Sequence, residues 1–114
     1  VLRFIGGSLN LAELISFFRR SGKFEDFCKI NNLNSESEVI EIYAIDPRDI
    51  NSDLGFFPIE NTEGQVVINI NGLKYYNLFD FFYFLDVIND VKGDEKISDI
   101  ELAKRLLKYS EDDA

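Results

Sequence analysis

Glu38-Val39-Ile40-Glu41-Ile42-Tyr43-Ala44-Ile45 (EVIEIYAI) decides the fold class. The stretch is short and rich in β-branched residues, which pack well on a pleated surface. With a side-chain period of two, Ile40, Ile42 and Ala44 share one face, and Glu41 and Tyr43 share the other. The segment is read as a strand. Ser35-Glu36-Ser37-Glu38 also fits a capping box, so a helix is the competing reading.

Downstream, Asp46-Pro47 breaks either element and Asp46 to Gly55 reads as a polar loop. Gly55 to Glu60 (GFFPIE) and Gln65 to Ile70 (QVVINI) flank Asn61-Thr62-Glu63-Gly64, which reads as a hairpin turn. Pro58 places its strand at an edge or a bulge, because proline cannot donate to a ladder. Asn71-Gly72 then turns the chain into Leu73 to Tyr76, a third antiparallel neighbour. Asn77 is expected to cap the strongest helix, about Leu78 to Val91. A step of about 100° per residue puts Leu78, Phe81, Phe82, Phe84, Leu85 and Ile88 on one broad apolar face. Phe79, Tyr83, Asp86 and Asp90 form a second stripe beside it. Lys92-Gly93-Asp94 ends that helix. Ser98 with Glu101 forms a capping box for a last helix, about Asp99 to Tyr109, with Leu102, Ala103, Leu106 and Leu107 inward. Ser110 to Ala114 reads as a fraying acidic tail.

Upstream, Ser8 is expected to cap a helix from about Leu9, with Leu11, Leu14, Ile15 and Phe18 on one face and Gly22 ending it. A short helix follows, about Phe24 to Ile30, with Cys28 as a small buried hydrophobe. Residues 31–35 read as a loop. The order is helices, a small sheet, then helices. The expected fold is α+β, one domain over residues 1–114, with an antiparallel sheet of three or more strands and N-terminal and C-terminal helices packed on it.

The 114 residues carry 12 Lys and Arg against 21 Asp and Glu, a formal charge of −9, and no His, Met or Trp. Without His there is no Ser-His-Asp or Cys-His nucleophile pair and no imidazole metal ligand. The lone Cys28 rules out an internal disulfide and a cysteine zinc site, and it fits a reducing compartment. Asp90 to Glu101 has the length of a calcium loop, with acids at its first, fifth and twelfth positions. Lys92 stands where an acid is needed and Glu95 where the turn needs Gly, so calcium is not expected. There is no phosphate-binding glycine loop and no nucleophile elbow. The chain is therefore read as non-enzymatic, with no cofactor and no metal. No apolar run reaches membrane-spanning length, and Val1 to Ile5 is too short for a signal-peptide core. The missing initiator Met leaves room for residues before Val1.

Charge says more than any motif. Residues 1–35 carry a net +2, residues 36–66 a net −7 and residues 67–114 a net −4. So acidic a chain repels phosphate backbones, which argues against direct binding of nucleic acid. The acidity has a plain reading, a surface kept soluble and monomeric by self-repulsion. It also has a functional one, an anionic face that steers onto a basic protein. The residues that would carry the second are Asp46, Asp49, Asp53, Glu60 and Glu63 in loops and turns, with Phe79, Tyr83, Asp86 and Asp90 as an aromatic and acidic stripe. The stripe has its own plain reading, that Phe79 and Tyr83 pack into the core.

In size, acidity, α+β pattern and want of catalytic residues, the chain resembles the immunity proteins of bacterial toxin–immunity systems, above all those of contact-dependent growth inhibition. The resemblance is one of class, across the whole chain. It implies a cytoplasmic antitoxin that binds a cognate basic toxin, often a nuclease, and covers its phosphate-binding site with acidic surface. The other classes are a nucleic-acid mimic that inhibits a nucleic-acid-binding complex, and a structural module whose acidity only keeps it soluble. A mimic should spread its carboxylates over an elongated surface, and an immunity protein should focus them on one patch.

Overall fold

The computed structural model describes residues 9–112. Ser8, and with it the cap expected there, lies outside the described residues. Helix α1 (Leu11–Arg19) and α2 (Phe24–Ile30) come first. Strands β1 (Ile40–Ile45) and β2 (Leu54–Pro58), the short helix α3 (Ile59–Thr62), and strands β3 (Val67–Ile70) and β4 (Leu73–Asp80) follow. Helices α4 (Phe81–Val91) and α5 (Asp99–Asp112) close the order. The chain is α+β, as the residue pattern predicts, and the sheet has four antiparallel strands in the order β2-β1-β4-β3.

Asn10 caps α1. Its side chain accepts from the Glu13 N–H at 2.9 Å, and the Glu13 carboxylate accepts from the Asn10 N–H at 2.9 Å. That satisfies two of the free donors at the helix start. Leu11, Leu14, Ile15 and Phe18 are buried, as their spacing predicts. The residue that turns left-handed after α1 is Ser21 (φ 73), not Gly22. Gly22 is needed for space, because a Cβ there would overlap the Phe17 ring and lie 2.6 Å from the Phe17 carbonyl oxygen.

Three sequence expectations are corrected. Residues 61–64 do not join neighbouring strands: β2 and β3 lie at opposite edges, and α3 carries the chain between them. The turn residues do bend the chain, since Glu63 (φ 54) and Gly64 (φ 70) are both left-handed, but the turn ends a helix. Second, the strong helix starts at Phe81. Residues 78–80 extend β4, and Asp80 is the cap, accepting from the Tyr83 N–H at 2.8 Å. Phe79 is therefore a strand residue, and the four-residue helical stripe does not exist. Third, α5 runs through Ser110 to Asp112, and Ser110 is buried.

The main core lies between the sheet and the helices. Phe18 meets Phe81 and Phe84 edge-on at 5.6 and 5.9 Å, and Phe27 meets Phe56 at 5.1 Å. Each such buried side chain contributes about 1.5–3 kcal/mol through apolar burial. Ile40, Ile42 and Ala44 face this core as their alternation predicts. Tyr43, on the other face, is also fully buried, under Phe57 at 5.5 Å and with its hydroxyl donating to the Gln65 carbonyl at 2.8 Å. Phe57 in turn meets Tyr75 at 5.5 Å, and Gly55 leaves room for both rings. The register of β1 on β4 shifts between Ile42 and Tyr43, so Leu78 is an extra residue on β4. Such a bulge breaks strict alternation, and consecutive Leu78 and Phe79 are both buried.

Candidate partner-binding site

The pairing of β1 with β2 fixes where the acidic loops go. Ala44 faces Leu54 at one end of the hairpin and Ile40 faces Pro58 at the other. Asp46, Asp49 and Asp53, in the β1–β2 loop, therefore lie at one end of the sheet. Glu60 and Glu63, in and after α3, lie at the opposite end. The six residues of β1 separate the groups by about 17 Å at the usual rise of ~3.4 Å per residue. The loops expected to act together are thus two groups.

All five of these carboxylates are exposed, as are Asp86 and Asp90 on α4. The ion pairs among the described residues are Arg19–Asp99, Arg20–Asp99, Arg105–Glu101 and Lys108–Asp112, so none of those seven acids has a basic partner. Asp49 does have local work, accepting from the Asn51 N–H at 2.8 Å. Asp46 accepts from the Tyr76 hydroxyl at 3.1 Å. Arg48, the one cation of residues 36–66, is half-buried over the Tyr76 ring and reaches Ser110 at 3.3 Å, and it forms none of the ion pairs among the described residues.

The two aromatic residues part company. Phe79 is buried in the core, stacked with Phe84, and offers no surface anchor. Tyr83 is half-buried, and its ring stacks on Tyr109 of α5 with centroids 4.8 Å apart and planes 13° from parallel. That pair walls a cavity of about 310 Å³, lined also by Glu41, Gly64, Val66 and Asp80. The cavity exists because β3 is shorter than β4. Their pairing ends at Val67 opposite Tyr76, with one further bond from the Asn77 N–H to the Val66 carbonyl. Beyond it, Leu78 to Asp80 have no strand neighbour on that side.

Glu41 and Asp80 face each other across β1 and β4. The sequence reading counts both in the acidic surface, Glu41 within 36–63 and Asp80 within 80–99, but does not pair them or name them with Tyr109 as site residues. Glu41 reads as an ordinary outward residue of a strand and Asp80 as part of a helix. Their meeting depends on a long-range register that no local pattern records.

Elsewhere, burial pushes the Cys28 thiol above its ordinary pKa, and the nearby charge of Glu25 adds to this. Among the described residues, no group of three or more Cys, Asp or Glu is placed to hold a metal ion, and no helix is long and apolar enough to cross a membrane. Comparison of the chain with protein-family models, with curated proteins and with solved structures finds no match.

Proposed function

We propose that this chain is a cytoplasmic immunity protein, which binds a cognate basic toxin, a nuclease, and covers its substrate site with acidic surface. The observation that carries the reading is the set of seven exposed carboxylates with no cation paired to them among the described residues. A nuclease holds phosphates and so presents a basic cleft to such a surface. Exposed rim charges of this kind raise association rates and set specificity more than they deepen affinity.

The separation of the loop acids into two ends admits a second reading. A single patch that joins Asp46, Asp49 and Asp53 to Glu60 and Glu63 must reach across about 17 Å of strand, roughly half the width of an interface of about 800 Å² per partner. Carboxylates spaced in this way also suit a nucleic-acid mimic, whose charges follow a phosphate track. The two readings differ in what the partner recognises.

The test uses a basic nuclease toxin domain, sought among the genes that neighbour the chain's own. The chain should bind it and abolish its nuclease activity. Replacing Asp46, Asp49, Asp53, Glu60 and Glu63 with amides should slow association at low salt and have little effect at high salt, where charges beyond about 8 Å are already screened. Unchanged association kinetics would mean that the acidity serves solubility alone. A partner that loses DNA or RNA to the chain without any nuclease activity of its own would favour mimicry.

A further inference from the structure

The two edges of the sheet differ in how they are closed. On β2, the Ile45 N–H donates to the Asp53 carbonyl, and the ladder alternates from there. Leu54, Phe56 and Pro58 therefore turn their backbone groups away from β1. The Leu54 N–H donates to the Leu9 carbonyl at 2.9 Å, and Pro58 has no N–H to offer. On β3, the Asn77 N–H donates to the Val66 carbonyl at 2.8 Å. By the same alternation Val66, Ile68 and Ile70 face β4, and Val67 and Asn69 turn N–H and C=O outward. Among the described residues, no hydrogen bond reaches those four outward groups. Proteins guard such an edge with a charge, a proline or a covering segment, and Val67-Ile68-Asn69-Ile70 carries neither charge nor proline.

The same hairpin exposes apolar side chains. Val66, Ile68 and Ile70 share one face, with Leu73 opposite Ile70, and Val66 and Leu73 are 55% and 48% exposed. A groove of about 640 Å³ is lined by β3, by Phe57 of β2 and by Asn61, Thr62 and Glu63. We propose that β3 is a docking edge, on which an extended, basic segment of a partner protein adds as a fifth strand. An antiparallel strand exchanges two backbone bonds with Val67 and two with Asn69, which satisfies all four outward groups. Every second side chain of that strand meets Ile68 and Ile70. Among the described residues that line the groove only Glu63 is charged, and Glu60 stands close before it on α3. Neither has a cation partner among the described residues, so Lys or Arg on the incoming strand is the complement. A second copy of the chain is the poorer occupant, because two chains of charge −9 repel. The basic partner rests on the proposed function, whereas the open edge does not.

The first arm of the experiment needs no partner. A capped peptide of three Lys-Val repeats is titrated into the protein, with Glu-Val repeats as the acidic control, and the Val67 and Asn69 amides are followed by NMR. The basic peptide should give saturable shifts and slower hydrogen exchange at both amides, and the acidic one should not. Two N-methylated forms of the basic peptide, one methylated on its valines and one on its lysines, supply the signature of strand addition. Only the set of nitrogens that faces β3 must be free, so one form should bind and the other should not. Asn69→Pro should weaken binding tenfold or more and leave the β4 ladder intact, because Ile68 and Ile70 carry those bonds. If that variant does not fold, the methylated peptides still decide. Absence of saturable shifts, equal binding of the acidic peptide, or the same response to both methylated forms would overturn the proposal. So would a concentration-dependent dimer that shifts Val67 and Asn69 without peptide, which assigns the edge to a second copy. The second arm uses a confirmed basic partner, which Asn69→Pro should release at least tenfold faster. Unchanged release, with association still slowed by the five amide replacements, overturns the docking edge and leaves the acidic-face reading standing. Peptide binding at β3 with no basic protein partner does the reverse.

Discussion

Arg19 reaches across the fold to hold Asp99, its Nη1 donating to Oδ1 at 3.1 Å. The same guanidinium donates to the carbonyls of Ile97 at 2.8 Å and Asp94 at 2.7 Å. It thus ties the last turn of α1 to the loop between α4 and α5. The sequence suggested only that Arg19 suits the end of its own helix. Its larger task is to satisfy carbonyls of another segment, in a setting where it is mostly buried.

Arg19→Ala should therefore cost about 2–3 kcal/mol, since it leaves the carbonyls of Val91, Asp94 and Ile97 without this donor and Asp99 with only its longer pair to Arg20. Arg19→Lys should recover less than half, because an ammonium lacks the fork that reaches several acceptors at once. Urea unfolding of the three proteins measures this. A loss of under ~0.5 kcal/mol in Arg19→Ala would place the group among weak surface pairs.

Gly22→Ala should destabilise the protein by about 1–3 kcal/mol, the range for forced overpacking. The cause is the Phe17 ring and carbonyl, not backbone strain, since the left-handed residue is Ser21. The double variant Gly22→Ala with Phe17→Leu should therefore cost less than the sum of the two single changes. Thermal melts of all four proteins test that non-additivity.

Cys28 should resist alkylation in the folded protein and react readily in urea. Its raised thiol pKa also has a sign for stability. The folded state disfavours the thiolate, so this contribution is fully present below the unfolded pKa of about 8.5 and is lost as the pH rises above it toward the folded value. Cys28→Ala should flatten that alkaline decline, and unfolding curves at neutral and alkaline pH measure it. The same slope in both proteins would assign the decline to other groups.

Asp86→Asn and Asp90→Asn should each leave stability within about 0.5 kcal/mol, because both acids are exposed and form no ion pair among the described residues. Tyr83→Ala should lower it, since the ring touches both Phe79 and Tyr109. With a partner of the proposed kind bound, Tyr83→Ala with Asp86→Asn should speed dissociation by a factor that exceeds any change in association. Comparison with the folded fraction at the same temperature separates interface from fold.

Local patterns were legible where one face or one cap decides the structure. Residues 40–45 of EVIEIYAI form a strand whose Ile40, Ile42 and Ala44 face the core as read, although Tyr43 on the other face is buried too, and α2 keeps its expected limits because Phe27 and Cys28 fix its buried side. Pro58 marked an edge strand correctly. The start of α4 was not legible, because Asn77 and Asp80 are equally good caps and Leu78-Phe79 suits either element. The bulge at Leu78 settles the matter, and bulges leave no trace in composition. The false hairpin has a related cause: turn residues show that the chain bends, but not which strand it meets next. For the same reason the cavity between Glu41 and Tyr109 was invisible, while the acidic loops were plain from charge alone.

The strand order β2-β1-β4-β3 has a consequence for how the chain is put together. Everything before α3 is two helices and a hairpin, and everything after it is a hairpin and two helices. Each half makes its own hairpin from near neighbours in sequence. The halves share one seam, where β1 lies against β4 and α1 lies against α4 and α5. Cutting the chain at Gly64 would leave two fragments, each with its own hairpin but with a face of its core open. Neither would have enough buried surface to persist alone, and each would complete the other, so the protein is a natural candidate for splitting into a pair of fragments that regain the fold only on meeting.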